Sequence, residues 1–178
     1  MPTIKCRFCK DNLEYPTGTA AVKCLNCLST QSVPSSLSDE NEEIFSQALE
    51  LRNNREFDKA YKIYRDLNKK YPKDIDIFWE LILCRFGLIY EKKAGKKDYF
   101  PVINRLSDTM IFDDEDYKKI MDNSELVHKQ IFRRDAIAIY EIQKKCLKRQ
   151  KVSLLMMSTF VITQQPPIPL LQQIWEIC

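Results

Sequence analysis

Lys5-Cys6-Arg7-Phe8-Cys9-Lys10 and Lys23-Cys24-Leu25-Asn26-Cys27-Leu28 decide how the first part of this chain folds. Each holds a C-x-x-C pair, and fourteen residues separate Cys9 from Cys24. A C-x-x-C turn aims two sulfurs at one point. Two such turns complete a tetrahedral shell of four thiolates around Zn2+, with metal–sulfur distances of about 2.3 Å. Cys6, Cys9, Cys24 and Cys27 are therefore the expected ligands of one structural zinc. Four cysteines leave no open position for water, which speaks against a catalytic metal. Iron in a rubredoxin-like site and a disulfide framework draw on the same residues and are the alternatives. Between the pairs, Leu13–Pro16 and Ala20–Lys23 flank Thr17-Gly18-Thr19. This reads as one short β-hairpin carrying the second knuckle, the layout of a zinc ribbon over residues 1–30. So short a region buries little apolar surface, and metal binding supplies most of its folding energy.

Outward from the knuckles, residues 31–38 (QSVPSSLS) are polar, serine-rich and carry Pro34, and they read as a linker. Asp39 with Glu42 has the form of an N-cap and its capping-box partner. A helix is expected from Asp39 to Asn53, with Ile44, Phe45, Ala48 and Leu49 on one face. After a turn at Asn53-Asn54-Arg55, a second runs from Glu56 to Tyr71. Its Ala60, Ile63, Tyr64 and Leu67 follow the i, i+3, i+4, i+7 rule of a buried stripe. Pro72 ends it by disfavouring helical geometry at Tyr71. Small residues at Ala48 and Ala60, an aromatic at Tyr64 and the closing Pro72 match one TPR repeat. Phe78 and Leu81 stand thirty-four residues on from Ile44 and Gln47, where a second would begin. The whole then reads as mainly α: the ribbon, then a TPR-like antiparallel helical array over residues 39–152.

Within that array the stretch from Asp74 to Tyr90 is apolar on most sides and is expected as one central, buried helix holding Trp79 and Cys84. Glu91–Val102 reads as a charged loop. Asp113-Asp114-Glu115-Asp116 lacks the alternating ligands and glycine of an EF-hand, and is expected to stabilise the start of a helix from Glu115 to Met121. Ser124 is expected to cap a long helix to about Lys151. His128, the one histidine, has no nucleophile near it in sequence and is expected on that helix's surface.

Composition narrows the function. Three glycines in 178 residues leave no Gly-rich phosphate loop. A net charge of +3 with interspersed acids and bases makes no electrostatic case for nucleic acid. Lys5, Arg7, Lys10, Lys23 and Phe8 are compatible with nucleic-acid contact, so a nucleic-acid-binding zinc ribbon is the alternative function. No apolar segment has the length of a membrane span, and the N-terminus lacks a signal peptide's apolar region. The expected compartment is the reducing cytosol, where seven cysteines stay thiols or bind metal. Paired histidines and an open metal position are both missing from the pattern, so no catalytic or cofactor-binding residue is expected beyond the zinc ligands. The expected function is a non-catalytic, protein-binding adaptor.

The two knuckles, followed in order by REFDKAYKIYRDL (55–67), FWELILCRFGLIYEKK (78–93), FPVINR (100–105), IFDDEDYKK (111–119) and DAIAIYEIQKK (135–145), resemble the N-terminal region of mostly bacterial TIR domain-containing proteins. The likeness covers residues 1–148. It implies a zinc ribbon and TPR-like helices that accompany a TIR domain, and a partner that is either another protein or that missing domain. Lys10 and Leu28 stand where a glycine often follows each knuckle in that family. Some eleven residues past the last motif, the family enters its first TIR strand, typically Tyr-Asp-Val-Phe-Ile-Cys-Tyr, whereas residues 153–178 here read as an irregular tail. Met156–Ile162 can be encoded as ATGATGTCTACATTTGTTATT, which from its third base reads Asp-Val-Tyr-Ile-Cys-Tyr. The hypothesis that follows is a frameshifted TIR-coding region. The gene's nucleotide sequence tests it, and codons that do not spell that strand in the shifted frame exclude it.

Overall fold

The computed structural model describes residues 2–38, 40–92, 95, 99–105 and 107–163, with side chains described as far as residue 152. The protein is mainly α, with small antiparallel hairpins at the N-terminus. Strand β1 (Thr3–Lys5) pairs with β2 (Asn12–Glu14), and β3 (Ala21–Lys23) pairs with β4 (Thr30–Ser32). Helices α1 (Glu42–Asn53), α2 (Phe57–Lys70) and α3 (Ile75–Arg85) follow. Strands β5 (Leu88–Lys92) and β6 (Tyr99–Ile103) form a third hairpin. A single 3-10 turn at Ile111–Asp113 leads into α4 (Glu115–Asn123) and the long α5 (Leu126–Thr163). Among the described residues no helix is long and apolar enough to cross a membrane.

The N-terminal hairpins correct the expected pairing. Leu13–Pro16 does not pair with Ala20–Lys23 across Thr17-Gly18-Thr19. Each C-x-x-C is instead the turn of its own hairpin. The two hairpins repeat with a shift of eighteen residues: Thr3 faces Glu14 as Ala21 faces Ser32, and Lys5 faces Asn12 as Lys23 faces Thr30. The physical reason is that a knuckle reverses the chain by itself. Cys6 N–H donates to Asp11 O (2.7 Å) and Lys10 N–H to Cys6 O (2.9 Å), and the same bonds recur from Cys24 to Ser29 and from Leu28 to Cys24 (both 2.9 Å). The segment expected as a linker is likewise taken into the fold: it contributes Gln31 and Ser32 to β4, and Gln31, Ser32, Val33 and Pro34 are buried.

Helix α1 starts at Glu42, after Asn41. Asp39, the expected cap, lies outside the described residues. The side chain of Asn41 braces the preceding turn, accepting from Ser38 N–H (2.7 Å) and donating to Ser36 O. The stripes of α1 and α2 meet in one apolar cluster: Phe45, Ala48, Ala60, Tyr64 and Leu67 pack with Ile77, Leu81 and Cys84 of α3. The other side of α3 supplies Trp79, Ile82 and Leu83 to a second cluster with Phe86, Leu88, Tyr90, Ile103, Ile120, Phe132, Ala136 and Ile139. Cys6, Phe8, Leu13, Cys24 and Cys27 belong to that second cluster. The cysteine-bearing hairpins and the helices thus share one core, and α3 is its central rod.

Helix α3 is shorter than the Asp74–Tyr90 reading. It ends at Arg85, because Gly87 takes φ +60° and turns the chain into β5. Leu88, Ile89 and Tyr90 are buried as strand residues, and the expected charged loop holds β6. Pro101 is tolerated opposite Tyr90 because the sheet has only two strands and both are edges. Asp114 caps α4, accepting from Asp116 N–H (2.9 Å) and Tyr117 N–H (3.3 Å), and ion-pairs with Arg85. The acidic cluster therefore works at a helix start. Ser124 closes α4, donating its hydroxyl to Ile120 O, rather than capping α5. His128 lies on α5 as expected and is half-buried, its Nε2 3.1 Å from Ala20 O. Helix α5 runs past the expected end near Lys151 to Thr163; the rest of the expected tail, 164–178, lies outside the described residues.

A Cβ at Gly87 would come within 2.8 Å of Arg105 Cγ and 3.1 Å of Arg105 N. Gly87→Ala adds that clash to a left-handed backbone. It is expected to destabilise the protein by about 1–3 kcal/mol, read as a fall of several degrees in thermal midpoint.

Candidate metal centre

Cys6 and Cys9 are presented by the turn between β1 and β2, Cys24 and Cys27 by the turn between β3 and β4. The four sulfur atoms all lie within 4.8 Å of one another. Across the knuckles, Cys6 Sγ is 3.7 Å from Cys27 Sγ and Cys9 Sγ is 3.5 Å from Cys24 Sγ. A tetrahedral thiolate shell with bonds of about 2.3 Å has sulfur–sulfur edges of about 3.8 Å, so the arrangement fits a four-coordinate ion. Cys6 and Cys24 are fully buried, Cys27 nearly so, and Cys9 is half-buried. All four expected ligands come together. The other described cysteines, Cys84 and Cys146, are buried elsewhere in the core.

Donors already surround the sulfurs. Cys27 N–H lies 3.5 Å from Cys24 Sγ, and Asn26 Nδ2 lies 3.9 Å from Cys9 Sγ. Without a cation, burial pushes the Cys6 thiol far up and the Cys9 thiol up to about 11. Burial also raises Cys27, but Ser29 and the neighbouring cysteines outweigh it and hold that thiol below its ordinary value. A divalent cation reverses the balance, because it stabilises the thiolate form directly.

The site is clamped by residues that spacing alone does not reveal. Arg7, inside the first knuckle, is 4 % exposed. Its backbone N–H donates to Gln31 Oε1 (2.7 Å), tying the first hairpin to the second. Its guanidinium reaches Glu80 (2.7 Å) and Asp76 (3.1 Å), both on α3. The second oxygen of Glu80 is 3.1 Å from Arg52 Nε of α1, and Arg52 also donates to Leu88 O (2.9 Å). Phe8 packs against Tyr90 of β5 with ring centroids 4.5 Å apart and planes tilted by 55°. Burial drives the Asp76 carboxyl up to about 6 against the pull of Arg7. Burial pushes Glu80 in the same direction, but Arg52 and Arg7 together outweigh it and keep Glu80 below the usual range. The available sequence signal was Asp76 and Glu80 themselves: two acids one turn apart in an otherwise apolar helix require buried bases.

Lys10 and Leu28, each directly after a knuckle, adopt φ +70° and +61°. That left-handed geometry is the one a glycine accepts without steric cost. Leu28 is also 57 % exposed. Replacing either residue by glycine is expected to raise stability by about 1 kcal/mol, seen as a higher thermal midpoint of the metal-loaded chain.

Metal affinity is expected to depend on pH with a definite sign. Binding displaces protons from thiols that burial holds protonated, so affinity falls as pH is lowered. Chelator competition at pH 6, 7 and 8 measures this, with a loss of more than about tenfold per pH unit expected for several displaced protons. Affinity that stays level over this range excludes thiolate ligation. Comparison of the chain with protein-family models, with curated proteins and with solved structures returned no match.

Proposed function

We propose that this protein is a non-catalytic interaction module in which one structural Zn2+, bound by Cys6, Cys9, Cys24 and Cys27, fixes an N-terminal zinc ribbon against a TPR-like helical array. The observation that carries the reading is the convergence of four thiols within 4.8 Å. All four positions are filled by protein sulfur, an arrangement suited to holding a fold and leaving no coordination site for a substrate. The antiparallel stripes of α1 and α2, closed over α3, support the TPR-like description. No catalytic group is assigned.

The partner in this reading is a protein, or the TIR domain that the order of the sequence motifs implies; the chain then serves as the accessory region of a TIR-type signalling protein in the cytoplasm. A groove of about 640 Å³ between the first hairpin and the outer side of α1 supports a docking role. Lys5, Lys10, Glu43, Ile44, Gln47 and Glu50 line it, charges and an amide around an exposed aliphatic chain, a mixture suited to a polypeptide. The nucleic-acid alternative draws less support, because Arg7 and Phe8, two of the residues that recommended it, are turned into the core.

Elemental analysis of the purified chain is expected to return one zinc per molecule, and Cys24→Ser to abolish stoichiometric binding. A gel shift with single- and double-stranded nucleic acid is expected to show no binding. Binding that weakens steeply as salt rises would transfer the assignment to the nucleic-acid reading.

A further inference from the structure

The side chain of Asp76 is 1 % exposed and stands in the first turn of α3, the helix on which both apolar clusters close. One of its oxygens accepts from Arg7 (3.1 Å) and from the hydroxyl of Ser32. The other, Oδ2, has no partner. Both donors come from the metal-bearing hairpins, Arg7 from the first knuckle and Ser32 from β4. Glu80 differs, since Arg52 of α1 reaches it independently of the hairpins.

Those hairpins have strands of three residues each, and two-stranded hairpins are marginal on their own. Their order therefore depends on whatever ties the knuckles together. When the knuckles come apart, Arg7 and Ser32 leave with them. The Asp76 carboxylate, in the first turn of α3, then loses both of its side-chain donors, and breaking a buried pair from one side is strongly destabilising.

We infer that Arg7 and Asp76 form a relay by which metal occupancy of the knuckles controls the order of helix α3, and so of the helical surface that binds a partner. The inference rests on the metal reading above. It makes the metal a licence for the binding surface as well as a local staple: the chain presents ordered helices only where zinc is available and the thiols are reduced.

Hydrogen exchange followed by mass spectrometry, on the full chain under reducing conditions before and after stripping with a chelator, tests this. In the wild type, protection across residues 75–85 is expected to fall on the order of 100-fold or more on stripping. Arg7→Met with Asp76→Asn removes both charges and leaves Glu80 paired with Arg52; its fall is expected to be at least about tenfold smaller. Asp76→Asn alone preserves side-chain volume and is expected to shift the same way. Phe8→Ala loosens packing on Tyr90 without touching a charge, and is expected to keep the wild-type dependence.

Unchanged protection in the stripped wild type would overturn the relay. So would an equally steep fall in both charge-removed variants. Zinc content measured on each sample separates the failures: full occupancy without coupling rejects the relay alone, whereas a chain that never holds zinc rejects the metal reading as well.

Discussion

A guanidinium held between two carboxylates joins the two halves of this protein. Arg7 belongs by sequence to a C-x-x-C turn of the candidate metal site and by contact to the helical core, where Glu80 and Asp76 flank it. Such a cluster is a poor source of net stability, since taking charges out of water offsets most of their mutual attraction. Its effect is selective. Only one placement of the knuckle supplies a positive charge to Asp76, whereas Glu80 keeps Arg52 of α1 whatever the knuckle does. Apolar contacts then secure the placement, with Phe8 against Tyr90 and Leu13 in the cluster around Trp79.

This arrangement also explains how about thirty residues with four thiols can be folded at all. Neither N-terminal hairpin has a core of its own. Between them they contribute Phe8, Leu13 and the buried sulfurs to a core otherwise made by α3, α4, α5 and the β5–β6 hairpin. Gln31 crosses from one hairpin to the other through the backbone of Arg7 and Lys5, so part of their mutual contact runs through Arg7, whose side chain faces α3. The division into ribbon, linker and helical domain describes the order of the chain better than its packing.

What the sequence disclosed follows the range of the forces involved. The convergence of the four cysteines was legible because coordination chemistry dictates such a spacing. Helices α1 and α2 were legible because Phe45, Ala48, Ala60, Tyr64 and Leu67 keep a period of 3.6. The hairpin pairing is hidden in the sequence because Thr17-Gly18-Thr19 looks like a turn, while the knuckles that reverse the chain look like ligand sites. Strand β5 was hidden because Leu88-Ile89-Tyr90 continues the apolar run of α3, and one glycine marks the break. The cluster of Arg7, Arg52, Asp76 and Glu80 was the least accessible, since charged residues far apart in the chain are ordinarily exposed.

The eighteen-residue repeat of the hairpins breaks at its tips. Where the first knuckle carries Arg7 and Phe8, turned inward, the second carries Leu25 and Asn26, and Leu25 is 90 % exposed. Exchanging the two hairpins would bring an aliphatic chain and an amide to the acids of α3, and would send an arginine and an aromatic ring into water. A backbone that is nearly its own duplicate therefore seats in a single orientation, and the polarity of the whole N-terminal unit is written in which of two equivalent loops received the charge.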